Sequence, residues 1–186
     1  MVMTLNKNWC DYRQEAVLLN GQKIIIRAIR SEDRKALVEF HKYLSDNTRF
    51  LRYQYLKGEL TESDLMNFCD VDYNNTMALV AESVNEGRKG IIGVGRYYRL
   101  PEAQSAEVAF VVRDSEQRKG IGTLLLKHLA IIAWQHDIRF FVAEVLRVNG
   151  RMLSIFRKSD PDLKNEVDHT TCTVTLSVGD TIHWTP

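Results

Sequence analysis

The chain has 186 residues, 45% hydrophobic and 26% charged, with a formal net charge of +1. That is the size of one ordinary globular domain. The charge balance gives nucleic acid no overall pull, and no apolar run approaches the roughly 20 residues of a membrane span. The opening Met1-Val2-Met3-Thr4-Leu5-Asn6 lacks a signal peptide's apolar core, and Cys10, Cys69 and Cys172 are odd in number and far apart, without a CxxC. The expectation is a cytoplasmic protein with neither a disulfide framework nor a zinc site.

Residues 1–15 are polar and mixed, with Trp9 and Tyr12 as anchors. Glu15-Ala16-Val17-Leu18-Leu19 and Gln22 to Ile29 flank Asn20-Gly21, which predicts a hairpin through a type I′ turn with positive φ at both turn residues. Ser31 is placed to cap a helix running to Tyr43, with Asp33 in its first turn. Ser45-Asp46-Asn47 opens a short helical stretch from Thr48 to Tyr53, and Thr61-Glu62-Ser63-Asp64 opens another. Met77 to Ala81 and Ile91 to Tyr98 read as strands around a turn at Glu86-Gly87-Arg88. Gly93 and Gly95 alternate in the second strand, which marks a close backbone approach on one face. Ala106 to Val112 is the next strand, followed by a polar loop to Lys119.

A helix then opens at Gly120-Ile121-Gly122, with apolar residues at 121, 124, 125, 129, 132 and 133, the spacing of one packed helical face. Phe140 to Leu146 is strand again, Met152 to Lys158 a short helix that Pro161 cannot continue. Val167 to Leu176 alternates weakly, with Cys172, Val174 and Leu176 on one side. The order predicts a mixed sheet with helices on it.

The junction at Gly120 and Gly122 can seat an anion. A helix N-terminus leaves N–H groups unpaired and carries partial positive charge. Glycines let a phosphate approach those groups, and Arg118 and Lys119 add charge. A solvated turn with a basic pair would read the same on the glycines alone. A P-loop needs Lys-Ser/Thr after its last glycine, and Gly122 is followed by Thr123-Leu124. A Rossmann turn needs a third glycine, and position 125 is Leu.

Gln117-Arg118-Lys119-Gly120-Ile121-Gly122 resembles the Q/R-x-x-G-x-G/A signature of the GNAT superfamily of N-acetyltransferases. The likeness extends over roughly residues 12–176. It is carried also by Arg27-Ala28-Ile29-Arg30-Ser31-Glu32-Asp33, by Leu44 to Tyr53, by Ala106-Glu107-Val108-Ala109-Phe110-Val111-Val112, and by Glu144-Val145-Leu146 with Asn149-Gly150-Arg151-Met152. Within the superfamily it is similar to bacterial Pat-type protein lysine acetyltransferases. The resemblance implies one domain over 1–186, of α/β (mixed α+β) class, with a mixed, mostly antiparallel sheet and helices on both faces. It implies acetyl-CoA as cosubstrate and no metal. Gln117, Arg118, Lys119, Gly120, Ile121, Gly122 and Thr123 would hold the pyrophosphate. Phe110, Val111 and Val112 would lend backbone groups to the pantetheine arm, as a sheet edge accepts a strand. Asn149 would contact the cofactor's arm, and Arg157 would reach an adenosine phosphate. Core strand, helix cap and surface charge are the competing readings of these last groups. The acceptor it implies is a protein bearing a target lysine. A small amine is the alternative, as is a non-catalytic acyl-CoA-sensing module.

Acyl transfer to an amine needs the amine neutral, and a lysine with a pKa of about 10.4 must lose its proton to something. Glu107 is an acid inside an otherwise apolar strand, and in the Pat-type enzymes it resembles the glutamate of this motif is the general base. Alternation puts Glu107 with Ala109 and Val111, opposite Val108, Phe110 and Val112, unless a bulge resets the parity. A carboxylic acid and an ammonium ordinarily differ by roughly six pKa units, and a half-buried site would narrow that gap from both sides. An edge-exposed or salt-bridged glutamate is the competing reading, and Glu144 the second candidate. Positions 150–160 hold no Tyr to protonate a departing thiolate, and Ser154 is the only hydroxyl well placed there.

On the acceptor side, Asp46, Phe50, Tyr53 and Tyr55 are placed to receive a lysine, with Arg49 and Arg52 gripping an acidic rim. A helix packed by Phe50 and Leu51, with its arginines in water, fits equally. Ser159-Asp160-Pro161 stands where the family has Leu-Gly-Phe, which leaves the chain's path to its last strands open.

Overall fold

In the computed structural model, which describes residues 8–84, 90–101 and 104–179, the chain is laid out on one eight-stranded sheet of order β1-β2-β3-β4-β5-β6-β8-β7. The strands are β1 Arg13–Val17, β2 Lys23–Ala28, β3 Thr76–Ser83, β4 Gly90–Arg99, β5 Ser105–Val112, β6 Phe140–Leu146, β7 Lys164–Val167 and β8 Thr171–Ser177. The helices are α1 Arg34–Lys42, α2 Asp46–Tyr53, α3 Glu62–Cys69, α4 Ile121–Gln135 and α5 Gly150–Ser159. Every neighbouring pair is antiparallel except β5 and β6, which run parallel. No helix among the described residues is long and apolar enough to cross a membrane.

Alternation along the strands divides the core in two. Ile24, Ile26, Met77, Leu79, Tyr97, Val108, Phe110 and Phe141 face Leu125, Leu129 and Ile132 of α4 and Phe156 of α5. Ile29, Ala78, Val80 and Val94 face Leu37 and Phe40 of α1 and Leu65 and Cys69 of α3. Each large apolar side chain so buried contributes about 1.5–3 kcal/mol. The alternating glycines of β4 let α4 lie close on the sheet. A Cβ on Gly93 would sit 2.9 Å from Ile121 Cγ2, and one on Gly95 would sit 2.8 Å from Phe110 Cδ1 and 3.2 Å from Leu125 Cβ.

The predicted hairpin forms, but not through a type I′ turn. Gly21 alone of the pair has positive φ, at 80°. Gly21 N donates to Leu18 O and Leu18 N to Gln22 O, both at 2.9 Å, which closes a three-residue loop. Asn20 Oδ1 instead accepts from Gln22 N at 3.1 Å, an Asx-type bond that holds the turn in another conformation. The first helix is not capped by Ser31. A 3₁₀ turn at Ser31–Asp33 precedes α1, and Asp33 Oδ2 reaches back to Arg30 N at 2.8 Å while both its oxygens accept from Arg27, at 2.7 and 2.8 Å. The weakly alternating stretch from Val167 to Leu176 starts at the last residue of β7, turns where Asp168 N donates to Thr171 O at 3.0 Å, and continues as β8, the two strands forming a hairpin. Asp160 settles the exit from α5, with its Oδ2 accepting from Ser177 N at 2.8 Å. The turn expected at Glu86-Gly87-Arg88 lies outside the described residues.

Candidate active site

The site begins with a strand that loses its neighbour. β5 pairs with β4 in unbroken register, from Gly93 opposite Val112 to Arg99 opposite Ala106, so no bulge resets its parity. On its other edge it pairs with β6 only from Ser105 to Glu107, opposite Phe140 to Val142. β6 continues to Leu146 against β8, and the two parallel strands part beyond Glu107. Backbone groups from Val108 onward therefore lack a strand partner on that edge, and such groups require one. A cleft of about 1480 Å³ opens here, lined by Glu107 to Val112, by Val142 to Val145, and by the glycine turn.

The glycine turn closes one end of the cleft. Arg118 and Gly120 both have positive φ, at 65° and 88°. That is costly for arginine and cheap for glycine, and it reverses the loop directly into α4. Gly120 is the N-cap and offers no side-chain cap, so the first-turn N–H groups keep their capacity for an anion. Gly122 lies where α5 approaches: a Cβ there would be 3.0 Å from Ile155 Cδ1. Lys119 is not the free charge that the sequence suggests, because its Nζ pairs with buried Glu116 at 2.9 Å. Lys127 and Lys158 line the cleft as well as Arg118; neither was singled out from the sequence.

Gln117 acts here as a brace. Its Nε2 donates to Val112 O at 3.1 Å and to Thr48 Oγ1 at 3.3 Å, and its Oε1 accepts from Arg151 Nη1 at 2.5 Å. One backbone carbonyl of the expected pantetheine strand is thus already in use. Asp114 is a second brace that sequence reasoning missed. It accepts from Ser45 N at 2.9 Å and from Ser45 Oγ and Thr48 Oγ1 at 2.7 Å each. Burial would raise the Asp114 carboxyl, but these bonds outweigh it and hold the group below its ordinary value. Ser45 Oγ is also the N-cap of α2, accepting from Thr48 N at 3.2 Å. The loop after β5 therefore fixes α2 over the cleft. The S-D-N-T sequence signals the cap, but nothing in it signals that a residue 69 positions away shares the cap hydroxyl.

Glu107 lies exposed on the cleft floor. Tyr98 stands opposite it on β4 and Val142 on β6. Ala109 and Val111 share its face, while Val108 and Phe110 pack toward α4, as alternation predicts. It forms no ion pair among the described residues, and the half-burial expected for it is absent. Any desolvation of its carboxylate has to come from what binds above it. Glu144, two positions beyond Val142, is exposed in the same cleft.

Asn149 caps α5, its Oδ1 accepting from Met152 N at 3.2 Å, and also lines the cleft. Arg157 does not line it. Arg151, Ser154 and Lys158 do, at the i, i+3, i+7 spacing of one helix face; Arg157 falls to the side. On α2 the orientation reverses the expected rim. Phe50 is 42% exposed, whereas Arg52 turns into the cleft and Arg49 has a buried Nε. Burial, then the charge of Arg96, pulls the Arg52 guanidinium below its ordinary value, with Tyr53, Tyr98 and Glu107 opposing. The β1–β2 hairpin adds Val17, Leu18 and Leu19 to the cleft wall beside the glycine turn, a contribution the sequence does not reveal.

A family profile described as an acetyltransferase (GNAT) domain matches residues 23–160. A Pseudomonas aeruginosa protein named as an acetyltransferase is 30% identical over 159 residues, spanning 81% of this chain and 84% of that one. The crystal structure of the GNAT domain of S. lividans PAT superposes with a TM-score of 0.80 at 27% identity, covering 89% of this chain and 96% of that one. An acetyltransferase structure from Salmonella typhimurium with its cofactor acetyl-CoA reaches a TM-score of 0.65 at 16% identity, covering 85% of this chain and 95% of that one, a likeness of fold.

Proposed function

This chain belongs to the GNAT acetyltransferase family and is an acetyl-CoA-dependent N-acetyltransferase, and from that premise we propose that it acetylates a protein lysine by direct transfer, with Glu107 as general base. The observation that carries the reading is the position of Glu107: it is the last β5 residue paired with β6, at the point where the strands part and the open edge begins.

The residues present fit acetyl-CoA. An extended arm can take the backbone of Phe110 and Val111 as a strand partner would. The N–H groups of Gly120, Ile121, Gly122 and Thr123 can receive the pyrophosphate, with the charge of Arg118 beside them. When bound, acetyl-CoA supplies an acetyl group activated as a thioester. Glu107 then takes the proton of the incoming ammonium and leaves a neutral amine to form the new amide bond. Being exposed, Glu107 can return that proton to solvent. A departing thiolate, with a thiol pKa of about 8.5, needs little help, and Ser154 is the hydroxyl of α5 that lines the cleft. Transfer through an enzyme thioester has no support, because Cys69 and Cys172 are buried in the core and Cys10 does not line the cleft. A module that only senses acyl-CoA has no use for an acid at Glu107.

A protein acceptor is supported by the likeness to the S. lividans PAT domain and by the exposed Phe50, Tyr55 and Leu56 at and just beyond α2. The test is thiol release from acetyl-CoA against folded lysine-bearing proteins and small amines. Lysine modification at specific sites in a folded protein is the expected result. Efficient turnover of small amines with no protein accepted would overturn the protein-lysine reading and leave the acetyltransferase standing.

A further inference from the structure

Beneath α2 a second recess, of about 20 Å³, adjoins the cleft, and Arg52, Tyr53, Ala109 and Val111 belong to the walls of both. That volume takes about one water-sized group. His41 and Arg96 complete its polar lining.

The recess carries positive charge without an ion-paired carboxylate, Glu107 acting on Arg52 only at longer range. Arg96 is 4% exposed; its guanidinium lies 4.5 Å from the Phe68 ring centroid and donates to Tyr98 Oη at 3.1 Å. Arg52 lies 5.2 Å from the Tyr53 ring centroid. Among the described residues neither arginine forms an ion pair. Arg27, by contrast, pairs with Asp33 and Glu82, and Lys57 with Asp64. Burying a charge is expensive unless it is paired.

His41 supplies an independent observation. It too is 4% exposed, and its Nε2 is buried without a hydrogen-bond partner. Burial, then the charges of Arg49 and Lys57, hold its imidazole below the ordinary value, with Asp64 opposing. Both effects favour the neutral imidazole, which offers one N–H donor.

We propose that this recess and the cleft wall it shares form a carboxylate subsite for the acceptor, so that the amine presented to Glu107 carries an acidic group, one oxygen of which enters the recess toward Arg96 and His41 while Arg52, common to both walls, meets the other. The inference rests on Glu107 marking the point of transfer. A planar carboxylate matches the guanidinium fork and supplies the anion that this pair of arginines lacks. The acid comes either from a residue flanking a target lysine or from the acceptor's own carboxylate.

Matched acceptors separate these sources: lysine peptides with a flanking Glu or Gln, and 6-aminohexanoate against hexylamine. The parent enzyme is expected to favour the acidic member of at least one pair by about tenfold or more, mainly through KM. Arg52→Gln, and separately His41→Leu, should bring the ratio toward one. The rise in melting temperature with acetyl-CoA reports that each variant is folded. Calorimetric binding of the favoured acidic acceptor, with CoA present, should be lost in Arg52→Gln and kept in Glu107→Gln. No preference in either pair, or a preference that both variants leave intact, overturns the subsite. So does an Arg52→Gln effect confined to a dicarboxylic acyl thioester such as succinyl-CoA, which would assign the recess to the acyl group. Full turnover in Glu107→Gln with the carboxylate preference intact would instead remove Glu107 as the base.

Discussion

Glu107 combines two properties that a sequence reveals unequally. Its type and parity were legible: an acid in an apolar strand, alternating with residues that pack on α4. Its exposure was not, because exposure depends on what covers that face of β5, which no pattern within the strand reports. Replacing it with glutamine removes the proposed proton acceptor at nearly constant shape. Glu107→Gln should lower the transfer rate by about two to four decades, while acetyl-CoA still raises the melting temperature by mass action. A rate within a few-fold of the parent would make Glu107 structural and direct attention to Glu144. The same limit explains Arg52. Its spacing on α2 was readable, but the side it faces is set by Asp114 holding Ser45 and Thr48, a contact no local pattern encodes.

At the scale of elements, α4 was the most legible part of the chain, because its apolar spacing runs for four turns and glycines on β4 mark where it lies. Short-range turn chemistry was less so: the Asn20 side chain and the turn at Asp168 each redirected a segment that periodicity alone could not resolve. α4 is also tied to the N-terminal segment, with Tyr12 Oη 2.5 Å from His128 Nδ1. Burial pushes the Tyr12 hydroxyl up to about 12, so it stays protonated. Burial, then the charge of Lys127, holds His128 down to about 4, against about 6.5 in an unfolded chain. Between those values the unfolded state binds more protons, so this contribution is full above about pH 6.5 and lost as pH falls toward 4. Melting temperature should decline through that window in the parent, and less steeply in His128→Asn, which keeps a hydrogen-bonding side chain for Tyr12 without titrating. Equal slopes in the two proteins would show that the pair does not govern acid stability.

Across the whole molecule, the mixed sheet was readable from the order of elements and its two helical faces from the family resemblance, but the parting of β5 and β6 was not. Strand patterns report which side chains are buried, not how far two strands stay paired. That parting brings an open strand edge, a helix N-terminus and an exposed carboxylate into one cleft, and it leaves room for thioester and amine together. The proposed direct transfer between two bound substrates rests on that arrangement. The most direct test measures initial rates of thiol release while acetyl-CoA and a lysine-bearing acceptor are varied together. Intersecting reciprocal plots, with no thiol released before acceptor is added, are the predicted result. Parallel plots with a burst of thiol in the absence of acceptor would mean a covalent acyl-enzyme and would contradict the account.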